Sequence, residues 1–157
     1  MARKTFNEKM NDSMDLPKIS VLTDSKMIDR YGGKKLLIAP PIEYDEVMRR
    51  IPEGRLTTSV DIRKYLSERH GADETCPLTA GLFMNIVAEA SEERGYDETP
   101  YWRSLKKGGE LNAKYPGGLE SQENRLKKEG HEIMSKGKRK FVKDYEKKLH
   151  ILSQSKF

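Results

Sequence analysis

Apolar residues fall into short clusters divided by charged or Gly- and Pro-rich stretches, and the spacing inside each cluster predicts its element. Across 41–51, Ile42, Val47, Met48 and Ile51 recur at helical spacing. Pro41 suits the first helical position. Glu43, Asp45 and Glu46 come early and Arg49 and Arg50 late, as the helix dipole favours, and Pro52 and Gly54 end the pattern. Thr58-Ser59-Val60-Asp61 has the form of a capping box, which predicts a second helix to about Arg69 that buries Val60, Ile62, Tyr65 and Leu66 and stops at Gly71. A brief turn is predicted over 72–76, and Pro77 then opens a longer helix to about Arg94, ended by Gly95.

A helical wheel puts Leu78, Leu82, Phe83, Ile86, Val87 and Ala90 on one side of this helix. Pro77, Ala80, Gly81, Met84, Asn85 and Ala88 lie on the other, predicting a small, uncharged outer face that permits close approach. Two helices joined by a short turn, the second with such a face, form a helix-turn-helix pattern. Residues 1–40 are expected to form an arm packing on the domain that follows, with a weak helical tendency over 4–15, a turn at Tyr31-Gly32-Gly33 and an extended run at Leu36-Leu37-Ile38. Downstream, the stretch from Thr99 to His131 holds Tyr101-Trp102-Arg103 and two Gly pairs, Gly108-Gly109 and Gly117-Gly118, that bracket short segments before a charged helix. A helix is predicted over 120–128, a hairpin or strand over 136–142 and a short terminal helix over 144–152.

Charge changes this picture. The chain has 157 residues, a net charge of +5 and equal shares of hydrophobic and charged residues, 35% each, which suits one lean domain. From residue 121 onward there are 11 Lys and Arg against 5 Asp and Glu, a surplus larger than that of the whole chain. A basic surface of this kind suits a polyanion, and equally a solubilising face. Cys76 is the only cysteine, which excludes an intrachain disulfide and a cysteine zinc site. His70, His131 and His150 lack metal-binding spacing, so no metal and no cofactor are expected. No apolar run approaches a membrane span of about 20 residues, and no signal region opens the chain. A monomer in the cytoplasm, or in the nucleus where the host has one, is the expectation.

Several landmarks coincide in order: Ile51-Pro52-x-Gly54-x-Leu56-Thr57-Thr58, Pro77, Pro100-x-x-Arg103, Tyr115-x-Gly117-Gly118-Leu119 and Glu129-Gly130-His131. Together they resemble the C-terminal DNA-binding domain of the O6-alkylguanine-DNA alkyltransferase family, over about residues 42–133. The branch indicated is the alkyltransferase-like one, which lacks the reactive cysteine. The resemblance implies a mainly α fold with a small β component. It divides the chain into an arm (1–40), a winged helix-turn-helix-like domain (41–133) and a basic C-terminal extension (134–157). The expected partners are double-stranded DNA, lesion-containing DNA among it, and other repair proteins.

In that family the recognition helix enters the minor groove, and a flipped base reaches a pocket beside a Pro-Cys-His-Arg motif. Here Pro100 and Arg103 match, but Tyr101 stands at the nucleophile and Trp102 at the histidine. A phenol titrating near 10 is a poor substitute for a thiol near 8.5. The resemblance therefore implies DNA binding without alkyl transfer, with Tyr101, Trp102, Arg103, Tyr115 and Glu129 as the base-pocket set. It places Thr58, Ser59, Pro77, Ala80, Gly81, Met84, Asn85, Lys106, Lys107 and Lys114 at the DNA. Gly81 falls at the family's intercalating arginine and Ser59 at its phosphate-rotating tyrosine, leaving Met84 or Asn85 for the wedge. Lys138, Arg139 and Lys140 are further candidates for phosphate contacts. Tyr101 and Trp102 either stack on a base or fill the pocket. Two alternatives stand beside this reading: a diverged scaffold that binds a protein or small molecule, and, weakest, an alkyl acceptor that uses Cys76.

Overall fold

The computed structural model describes residues 4–153, so the outer ends of the N-terminal arm (1–3) and of the C-terminal extension (154–157) lie outside the described residues. Its elements are α1 (Phe6–Asn11), β1 (Lys18–Val21), α2 (Ser25–Tyr31), β2 (Lys35–Ile38), α3 (Pro41–Arg49), β3 (Thr57–Thr58) and α4 (Ser59–His70). β4 (Glu74–Thr75), α5 (Pro77–Arg94), β5 (Ser104–Leu105), α6 (Gly118–Lys128), β6 (Ile133–Lys136) and β7 (Arg139–Val142) follow. The fold is mainly α with a small β component.

Local chemistry accounts for the helix ends. Thr58 accepts the Asp61 N–H at 3.1 Å and so caps α4, and Gly71 closes it in the left-handed conformation (φ 68°) that glycine adopts without strain. Proline begins α3 and α5. Tyr44, Val47 and Met48 of α3, Ile62 and Leu66 of α4 and Val87 and Ala88 of α5 are fully buried together, and Leu37 of β2 joins them. α1 lies on α5, where the Glu93 carboxylate takes the Phe6 and Asn7 N–H groups at 3.0 and 3.1 Å and so meets the positive end of the shorter helix.

Three small sheets tie the helices together. β1 pairs antiparallel and β4 parallel with the central β2, β3 pairs parallel with β5, and β6 and β7 form a hairpin. Residues 74–75, expected in a turn, are thus the strand β4: Leu36 and Leu37 stand opposite Glu74 and Thr75, and a two-residue strand has no alternating pattern to reveal it. Val60, expected in the core, is 37% exposed in the first turn of α4. The terminal helix expected over 144–152 is a single 3₁₀ turn, Tyr145–Lys148. The chain then extends and satisfies the backbone of Leu56, whose N–H donates to Lys148 at 3.0 Å and whose carbonyl accepts from His150 at 2.8 Å.

The main correction concerns α5. Leu78 and Leu82, expected on the buried side, are 74% and 59% exposed, whereas Ala80, Met84 and Ala88, expected outside, are buried at 1%, 3% and 0%. A helix that is apolar nearly all round carries little information about which side faces in. Its small side lets the neighbouring helices approach, and the leucines are turned outward.

Candidate nucleic-acid interface

The stretch around Trp102 is a buried knot. Thr99 is fully buried: its N–H donates to Ser91 Oγ at 2.9 Å and its hydroxyl to Asp45 at 2.5 Å. Those bonds fix the 3₁₀ turn Tyr101–Arg103 against α3 and α5. Tyr101 is 1% exposed and donates to Glu92 at 2.6 Å, and its ring meets Trp102 edge-on at 5.4 Å and Tyr115 at 5.1 Å. Burial, and then the bond to Glu92, push its hydroxyl well above the usual phenol range.

Glu129 closes the knot. It accepts from the Trp102 indole at 2.9 Å and takes a bidentate fork from Arg103 (Nε and Nη2, each 2.9 Å), while Arg103 Nη1 donates to the Ile51 carbonyl at 2.7 Å. Burial opposes the Glu129 carboxylate, but the Arg103 and Trp102 hydrogen bonds outweigh it and hold the group below the usual range. Arg103 is therefore committed to protein atoms. The Arg125 guanidinium covers the Trp102 ring at 4.3 Å and pairs with Glu92 at 3.0 Å. His131 is 7% exposed, its Nε2 has no partner, and burial keeps it below the ordinary imidazole value.

A separate groove of about 460 Å³ runs beside the first half of α5. Ser59, Pro77, Ala80, Gly81, Met84, Asn85, Lys106, Lys114 and Tyr115 line it. The structure thus gathers nine of the candidate residues, from four separate segments, around one space. Thr58, Lys107, Tyr101, Trp102, Arg103 and Glu129 do not line it. Thr58 is spent as a helix cap, and Lys107 is exposed in the 3₁₀ turn Lys107–Gly109. Tyr115 joins groove to knot: it is 2% exposed, donates to the Ser104 carbonyl at 3.1 Å and packs on Tyr101.

Sequence reasoning missed several lining residues. Arg63 enters the groove from α4, and its position four after Ser59 on one helix face was the available signal. Leu78 and Leu82 form part of the lining as well. The lining includes three cations, Arg63, Lys106 and Lys114, and no carboxylate. Arg63 and Lys106 have loose partners in Glu74 (3.6 Å) and Glu110 (3.9 Å). A Cβ placed on Gly81 would meet nothing within 4 Å, so the backbone there is open to a close approach. Asn85 Oδ1 is buried without a partner, and Met84 is held in the core.

The basic hairpin is largely answered within the molecule. Arg139 forks onto Glu110 at 2.9 and 3.0 Å, and Lys140 pairs with Glu123. A smaller cleft of about 280 Å³ beside α4 is lined by Asp61 and Glu68 together with Lys64 and His150, so it lacks the single sign of charge found in the groove. Cys76 is buried, and its N–H donates to the Leu37 carbonyl at 2.8 Å. Among the described residues no group of His, Cys, Asp and Glu could hold a metal ion, and no helix is long and apolar enough to cross a membrane.

No family model matches the sequence, and no curated protein does. Solved structures do show likeness of fold. S. pombe Atl1 in complex with damaged DNA containing O6-carboxymethylguanine superposes with a TM-score of 0.54 at 17% identity, over 71% of this chain and 94% of that one. A second structure, S. pombe ATL in complex with DNA, gives the same TM-score and coverage at 18% identity.

Proposed function

We propose that the chain binds double-stranded DNA along the first half of α5 and receives an extruded, alkylated base in the groove bounded by Tyr115. The observation that carries this reading is the groove itself. Its volume lies within the range of small-molecule pockets, about 300–1,000 Å³, and its charged lining is wholly cationic. The fold of an alkyltransferase-like protein solved with damaged DNA supports the same reading. Extrusion is required because a modified base edge is not reachable inside the stack.

The reading excludes alkyl transfer at the motif position. Tyr101 presents no thiol, its hydroxyl is hydrogen-bonded to Glu92, and its ring is packed behind Tyr115 rather than in the groove. The aromatic pair fills the space behind the pocket, and recognition falls to the groove wall. The protein then marks the lesion, and its removal is left to other repair proteins.

Fluorescence anisotropy with undamaged and O6-methylguanine duplexes, at about 50 and 200 mM salt, tests this. Binding should weaken steeply with salt and favour the lesion, and Lys106→Glu with Lys114→Glu should weaken it further. If neither duplex binds at the lower salt, the reading fails and the diverged-scaffold alternative takes its place.

A further inference from the structure

Leu78 and Leu82 are the most exposed large apolar side chains on α5, at 74% and 59%. One exposed leucine needs no explanation. These two stand four apart, so they lie one above the other on a single helix face. Both border the groove, and the open backbone of Gly81 lies between them in sequence. No charged residue occurs from Pro77 to Ala88, although a third of the chain is charged. The charged residues that line the groove come from other segments: Arg63, Lys106 and Lys114. An apolar edge bordering a groove whose charged lining is cationic matches one kind of partner, a polyanion whose interior is apolar and stacked.

We infer that Leu78 and Leu82 enter the DNA stack as a wedge at the step from which a base has left for the groove. This inference rests on the DNA-binding reading and adds to it the residues that hold the duplex open. Once a base departs, the strand has an unfilled layer of about 3.4 Å, and apolar side chains fill such layers in proteins that kink or unstack DNA. Met84, which the sequence put forward for the wedge, cannot serve, because it is 3% exposed and packed in the core. The leucines need no rearrangement to reach out, and Gly81 allows the helix backbone to come up to the sugar edge beside them.

The test uses the full chain, a duplex with 2-aminopurine next to an O6-methylguanine, and the double variant Leu78→Ser with Leu82→Ser. The native protein should raise 2-aminopurine fluorescence at saturation. The variant should bind roughly tenfold more weakly, as loss of a stacking contact does, and lose most of the fluorescence rise even when saturated. Leu78→Met with Leu82→Met should restore it. Because both leucines point into solvent, the thermal unfolding of the serine variant should match the native chain. A full fluorescence rise in the saturated serine variant overturns the wedge. Binding by the native chain with no fluorescence rise also overturns it, while leaving DNA binding intact. No binding at all by the native chain means the underlying DNA reading has failed. Sedimentation showing a native dimer that the serine variant dissolves would assign these leucines to a second copy and overturn the proposal.

Discussion

Replacing Glu129 by alanine should cost far more than breaking a surface ion pair. The carboxylate is 8% exposed and serves three donors: the Arg103 guanidinium, the Trp102 indole and, at 3.4 Å, the Gly54 N–H. In Glu129→Ala, Arg103 keeps its bond to the Ile51 carbonyl but loses its counter-charge at a side chain only 14% exposed. Removing one partner of a buried pair costs about 3–5 kcal/mol, and the remaining carbonyl bond argues for about 3. The stranded indole N–H adds about 1 kcal/mol. The sum, about 4 kcal/mol, should lower Tm by roughly 8–16 °C in a chain of this size. Thermal and urea unfolding by circular dichroism measure it, and Arg103→Met with Glu129→Leu should recover much of the loss, since the charge is then removed with its partner. Below its Tm, Glu129→Ala should bind DNA as the native chain does, because Glu129 does not line the groove. A cost under about 1 kcal/mol would place the fork among solvent-screened pairs and refute the argument.

Gly81→Ala should raise stability by up to about 1 kcal/mol, since the added methyl meets nothing and mid-helix glycine is costly, yet weaken DNA binding; unchanged affinity would show that no backbone approaches there. His131 is held below its usual 6.5, chiefly by burial and also by Lys148 and Arg103, so the unfolded chain takes up the proton first as pH falls. The stability from keeping it neutral is fully present above about pH 6.5 and is lost below it. Urea unfolding between about pH 7.5 and 5 should show that loss, and His131→Gln should reduce it; equal slopes in the two proteins would contradict the assignment. Gly109→Ala should destabilise by about 1–3 kcal/mol, because its Cβ would stand 2.4 Å from the Tyr145 ring at φ +82°, and an unchanged Tm would disprove that clash.

The parts of the fold written in local chemistry were legible in the sequence. Pro41, Pro77, Gly71 and Gly95 mark helix ends because each acts on its own backbone. β4 and β5 were not legible, since they exist only through pairing with β2 and β3 across the chain. The orientation of α5 was hidden for a different reason: Leu78 and Ala80 are both apolar, and only the neighbours of α5 decide which is covered. Spacing likewise brought Pro100, Arg103, Tyr115 and Glu129 to attention. That Arg103 grips Glu129, 26 positions away, and is thereby withdrawn from any phosphate depends on a fold that the spacing does not contain.

The stack of Tyr115, Tyr101 and Trp102 also has an optical consequence. Trp102 is the chain's only tryptophan, so all indole emission comes from one place. Tyr115 borders the groove, touches Tyr101 at 5.1 Å, and Tyr101 touches the indole at 5.4 Å. Light absorbed by either phenol passes readily over such distances to the indole, whose face lies under the Arg125 cation. A base that packs against Tyr115, as proposed, should therefore change the colour or yield of a single lamp two rings behind it. On that proposal the protein carries its own occupancy gauge, readable without a label.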